Sequence, residues 1–252
     1  MSARPPVPRA ALFEARLLLL AAIAFLMVFP FLWMASTSLK SFSAAFEYPP
    51  AIVPRQLHPE NYTELFSPGG LPMARFFLNS VKITGLCVAG MLLSCSMGGF
   101  ALSQLSFPGK RLVFAATLVT LMVPYQLTLI PVFMMFQEVG WKDTHYPLWL
   151  PAFFGGAFGV FLLRQFFLSV LATLGVFTFM ASWNDLLNPL IYIDTIEKMP
   201  LTAGLSFLQG QHGSHWPRLM AAAMVSIAPV VAIYLLAQRA FVAGVATTGL
   251  KG

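Results

Sequence analysis

The sequence predicts an all-α fold, a polytopic membrane helix bundle with about six transmembrane helices. Three observations predict it. Hydrophobic residues make up 58% of the 252 residues and charged residues only 10%, against roughly 25% charged in soluble domains. Apolar runs of spanning length, about 20 residues for a bilayer core about 30 Å thick, occupy most of the chain. The basic residues behind the net charge of +6 mostly flank those runs and form no Lys/Arg tract, so the charge speaks for a lipid bilayer and not for nucleic acid.

The elements follow in order. The first apolar run, 17–36, comes after Arg4, Arg9 and Arg16 and is long for a secretory signal, so it reads as an uncleaved anchor. Pro30 is tolerated there because neighbouring helices satisfy the carbonyl it frees. Residues 41–75 are polar and Pro-rich, carry Glu47, Glu60 and Glu64, and have room for a short amphipathic helix but not for a domain. Further spans are expected at 76–103, 112–136, 148–168, 171–193 and 219–240, all within one transmembrane domain, 1–252. With the N-terminus inside, the short inner segments hold Arg4, Arg9, Arg16, Lys110, Arg111, Arg239 and Lys251, with Arg164 near the inner end of the fourth span. Gly90, Ser94 and Gly98 recur every four residues in the second span, and Gly155 and Gly159 do so in the fourth. Such small-residue ridges serve helix packing, either within the subunit or along a dimer seam.

Enzyme signatures are missing. The Pro108-Gly109-Lys110 step lacks the upstream Gly and following Ser or Thr of a phosphate-binding loop, so no ATP hydrolysis is expected from this chain alone. His212 and His215 have no third ligand at matching spacing, and neither a metal nor a cofactor is expected. Cys87 and Cys95 share one apolar segment and read as packing residues, not a disulfide. The polar residues inside the spans are more telling. Asn184 and Asp185 precede Pro189 in the fifth span, and Gln126 and Thr128 follow Pro124 in the third. Two readings stand for the first pair: groups on a substrate path facing the bundle interior, or groups that satisfy backbone freed by Pro189.

The apolar stretch FFGGAFGVFLLRQFFLSVLATLGVFTFMASWNDLLNPLIYI, 153–193, presents a difficulty. As one helix it would run roughly 60 Å, twice the bilayer core, so it must hold two spans with almost no connector. At these residues the sequence resembles the inner-membrane permease subunits of bacterial ABC sugar importers, the maltose-permease-like branch. The matching text is Asn61-Tyr62, Asn79-Ser80, MVPYQLTLIPVF (122–133), FLLRQFF (161–167), LATLGVFTFMASWNDLLNPLI (171–191) and the closing QRAFVAGVATTGLKG, in the family's order over nearly the whole chain.

The resemblance implies a half-pore in the bacterial inner membrane. Its partners would be a second homologous permease, an ATPase dimer and an extracytoplasmic sugar-binding protein. Asn184, Asp185, Gln126 and Thr128 would lie on the substrate path; Arg164, Lys251 and Gly252 would lie toward the ATPase. The sequence also departs from the family. A cytoplasmic loop with the pattern E-A-A, three residues, G normally separates FLLRQFF from LATLGVF and docks on the ATPase. Here Ser169-Val170 runs straight into Leu171. With that loop missing near 170–171, either the chain reverses within a few residues around Arg164–Gly175, with no Pro and no Gly before Gly175, or one long helix continues; in both cases coupling to the ATPase is expected to suffer. A non-transporting scaffold and an ion-driven carrier built on Asp185 are the alternatives.

Overall fold

The computed structural model describes residues 9–67, 72–165, 167–211 and 215–249, and among these there are helices and no strand. The chain divides into two compact units, Met1–Glu64 with His215–Met224 and Leu65–Ser214 with Val225–Gly252.

The first unit begins with α1, Arg9–Ser38, followed by the short α2, Phe42–Ala45, and α3, Glu60–Thr63. The most apolar window of α1 has a mean hydropathy of 2.6 and none of it is buried in the chain. A helix apolar on every face and left uncovered by protein is built for lipid. Its last carbonyls have no intrahelical donors. Asn61 supplies one for the last of them, donating from Nδ2 to Ser38 O and also to Lys40 O just past the helix, each at 2.9 Å. Lys40 Nζ donates to Ala51 O at 2.6 Å and lies 4.7 Å from the centre of the Trp33 ring. Burial lowers the pKa of Lys40, with the charge of Glu47 acting the other way. Arg218 and Glu64 form an ion pair in the same unit.

The second unit is organised on α4, Met73–Gln104. After it come α5, Lys110–Thr120, and α6, Tyr125–Glu138. Next are α7, Tyr146–Trp149, a 3-10 turn Leu150–Phe154, and α8, Ala157–Gln165. Then follow α9, Phe167–Trp183, α10, Leu187–Tyr192, a 3-10 turn Ile196–Lys198, and α11, Leu201–Gln211. The last helix, α12, is Trp216–Gly249.

Small residues on α4 decide how closely its neighbours approach. A methyl group at Gly90 would sit 2.5 Å from Phe153 Cδ2, one at Gly98 3.1 Å from Val160, and one at Gly99 2.9 Å from Leu163 Cβ. Residue numbers rise together along this seam, so α8 runs parallel to α4. On α9 they fall: Leu92 meets Gly175, Thr84 Oγ1 lies 3.2 Å from Ser182 Oγ, and the Phe77 and Trp183 rings are 5.8 Å apart. Helices α8 and α9 therefore run in opposite directions, with Cys95, Leu163 and Leu174 buried between them and α4. The 41-residue apolar stretch does not continue as one helix. Helix α8 ends at Gln165 and α9, running the other way, starts at Phe167.

Several expected spans are interrupted or shifted. The run at 112–136 is two helices bent by 96° at a short break. Pro124 has extended backbone there, and a residue preceding proline is pushed out of helical geometry. The fourth span starts as α7 and a 3-10 turn, because Gly155, with φ +84°, interrupts the helix. The fifth begins earlier than 171 and stops at Trp183, and α10 resumes after a gap at Asn184–Asp185–Leu186. Four helices among the described residues are long and apolar enough to cross a membrane, or five if the bent pair counts as one span; α9 is shorter.

Candidate functional site: a polar break and an end cleft

The gap between α9 and α10 is held by side chains. Asp185 accepts from Asn188 N at 3.2 Å through Oδ1 and from Asn188 Nδ2 at 2.8 Å through Oδ2. A carboxylate three residues ahead of a helical N–H is the usual way to satisfy the unpaired donors of a first turn. Tyr125 Oη donates to Asn188 Oδ1, which ties the restart of α6 to the restart of α10. Two interrupted helices thus meet through Tyr125, Asn188 and Asp185.

Among the predicted path residues, Asn184 is exposed and donates to Met180 O at 2.8 Å, closing the end of α9. Thr128 donates to Tyr125 O at 2.9 Å, and Gln126 is exposed. Among the described residues neither Gln126 nor Thr128 hydrogen-bonds Asn184 or Asp185. Arg164 stacks its guanidinium 3.6 Å from the centre of the Phe114 ring on α5. Lys251 and Gly252 lie outside the described residues. Ser94 donates to Gly90 O at 2.7 Å and to Ala152 O at 2.9 Å, while Gly159 lies against Cys95 and Leu174.

At the end of the second unit marked by the start of α4, a second polar group forms that the sequence reading missed. Asp143 adopts a left-handed backbone, φ +56°. Its Oδ1 accepts from Asp194 N and Thr195 N, at 3.0 and 2.8 Å. Its Oδ2 accepts from Thr195 Oγ1 and Lys198 Nζ, both at 2.6 Å. Desolvation pushes this carboxyl up, but the bonds from Lys198, Thr195 and Asp194 outweigh it and hold the pKa well below the usual carboxylate range. Lys142 pairs with Asp194 at 3.0 Å. His145 Nε2 lies 2.7 Å from Lys198 O and so carries the proton; burial lowers its pKa. Asn79 Nδ2 donates to Glu197 O and Met199 O at 2.9 and 3.0 Å, and Ser80 Oγ accepts from Leu201 N at 2.7 Å. Side chains from α4 and from the loop after α6 therefore clasp the connector between α10 and α11. A cleft of about 370 Å³ opens here beside Lys82, His145, Tyr146, Trp149 and Lys198. The sequence signal available was an Asp flanked by a Lys and a Thr after a Gly-Trp turn, which is too common to single out.

No family model matches the chain. Known proteins do resemble it. It is 29% identical to the probable ABC transporter permease protein YurM of Bacillus subtilis over 256 aligned positions, covering 89% of this chain and 84% of that one. The inner membrane ABC transporter permease protein YcjP of Escherichia coli is 27% identical over 270 positions, with 92% of this chain and 94% of its own covered. The arabinooligosaccharides transport system permease protein AraQ of Halalkalibacterium halodurans is 27% identical over 264 positions, with the same coverage of 92% and 94%. All three alignments run over more positions than the 252 residues of this chain, so these relatives carry residues that it lacks. In fold, the chain matches one from a bacterial ABC transporter involved in the import of the acidic polysaccharide alginate, at TM-score 0.78 and 19% identity over 94% of this chain and 99% of that one. The curated homologues of this chain are thus ABC-transporter permeases, sugar-transport permeases among them, and it shares its fold with a chain of a bacterial ABC transporter involved in import.

Proposed function

We propose that the chain is one permease subunit of an ABC-type carbohydrate importer, forms half of a translocation pore, and couples poorly to its ATPase. The observation that supports it furthest is the end-to-end likeness to transport permeases, one of them named for arabinooligosaccharides. In this reading the chain is a multi-pass inner-membrane protein with a cytoplasmic N-terminus and has no enzymatic activity of its own. It pairs with a second homologous permease, an ATPase dimer supplies the energy, and an extracytoplasmic binding protein delivers the sugar. Asn184, Asp185, Gln126 and Thr128 stand on the substrate path; Arg164, Lys251 and Gly252 lie on the ATPase side.

Impaired coupling is supported by how few residues separate α8, which ends at Gln165, from α9, which starts at Phe167. A docking helix transmits ATPase closure by contact, and a reversal of a few residues offers little surface for that. The test is reconstitution in proteoliposomes with the partner permease, the ATPase and the binding protein. The partners co-purify, and ATPase activity stays at its basal rate when loaded binding protein is added. Vigorous substrate-stimulated hydrolysis sinks the coupling claim, and failure to co-purify sinks the permease reading itself.

The same short connector favours a second reading, a scaffold that assembles with permease partners and moves nothing. An ion-driven carrier is disfavoured because both Asp185 oxygens already serve Asn188. Asp185→Asn with unchanged uptake removes that reading; abolished gradient-driven uptake by the isolated chain restores it.

A further inference from the structure

The end cleft differs in chemistry from the polar break. Its one carboxylate, Asp143, is already committed to four hydrogen bonds. His145 commits its Nε2–H to Lys198 O. The groups left over are mainly donors. Lys82, exposed on α4, has no hydrogen bond or ion pair among the described residues, and neither Trp149 Nε1 nor Tyr146 Oη has a hydrogen-bond partner there. An indole N–H and an ammonium only donate. The Tyr146 and Trp149 rings stand 5.7 Å apart and give the same cleft an apolar wall.

We propose that this cleft binds an oxyanion carried on a small organic molecule, with Lys82 and Trp149 donating to it and the Tyr146–Trp149 pair covering its apolar part. Lys198 adds positive charge while remaining bound to Asp143. The volume, about 370 Å³, accommodates one ring or headgroup and not an extended chain. The carboxylate of a sugar acid and the phosphate of an anionic lipid share this chemistry, and the proposal does not depend on the importer reading.

The test uses the full chain in nanodiscs. In discs of phosphatidylcholine, glucuronate is titrated calorimetrically, with glucose as the neutral control. In parallel, native mass spectrometry follows retention of phosphatidylglycerol against phosphatidylcholine. Glucuronate binding without glucose binding, or selective phosphatidylglycerol retention, supports the site and names its source. In either arm Lys82→Gln weakens binding about tenfold, the loss expected for one charge-assisted hydrogen bond. Trp149→Phe, which keeps the ring and removes the N–H, weakens it less. Lys142→Gln, whose partner Asp194 lies outside the cleft, leaves it unchanged and controls for folding. Binding in neither arm, or binding that Lys82→Gln does not weaken, overturns the proposal.

Discussion

Replacing Asp143 with Asn turns one of the two oxygens that hold four donors into a donor itself and leaves Lys198 without its charge partner. A loss of about 1–3 kcal/mol is expected, read as a lower unfolding temperature in detergent at neutral pH. The sign with pH follows from the depressed folded pKa. Its stabilisation is fully present above the unfolded value, about 3.9, and fades only as pH falls through the lower folded value. The gap between wild type and Asp143→Asn therefore holds through mild acid and closes only well below pH 3.9. Gly99→Leu is a test of another kind. A Cβ there would stand 3.1 Å from the backbone carbon of Leu163, which cannot rotate away. Overpacking of this sort costs about 1–3 kcal/mol and will show in the same melting assay. The spacing of Gly90, Ser94 and Gly98 stood out in the sequence because small residues at four-residue intervals share one face of a helix. Gly99 was not, since a lone glycine beside a ridge carries no period.

At the level of elements, interruptions matter more than helices. Tyr125→Phe deletes the hydroxyl that joins the restarts of α6 and α10. The expected cost is about 1 kcal/mol, with faster amide exchange at Leu187–Tyr192 and little change on α4. Uniform exchange rates on α10 before and after the substitution would show that the link does not hold it. Hydropathy located most apolar runs to within a few residues but could not see the breaks. Pro124 and Asp185 lie inside windows apolar enough to average them away, and Asn188, which joins Tyr125 to Asp185, looks like an ordinary mid-span amide. Asp143 was invisible for the opposite reason: its four donors come from residues about fifty positions away.

At the scale of the whole molecule, the expectations concern assembly. Inserting a loop of the family's pattern between Gln165 and Phe167 will raise substrate-stimulated ATPase activity in the reconstituted complex if the short connector is what limits coupling. An unchanged rate would place the defect elsewhere. The fold class was readable from composition alone, because the bilayer allows few solutions for backbone polar groups. The kinship was readable from ordered motifs spread along the chain. Asn61 and Asn79, which entered as motif letters, turn out to be clasps that donate to the carbonyls of neighbouring turns.

Because α8 and α9 each grip α4 through their own side chains, neither depends on the peptide that joins them. Closing a longer flexible loop across fixed ends costs only about 0.6 kcal/mol for each doubling of its length. The junction between α8 and α9 is therefore expected to be a permissive insertion point, where a tag, a reporter domain or a relative's connector can be exchanged with little effect on melting. Stability and signalling are separable in such an architecture, and a lineage can lose the second without any selective warning from the first.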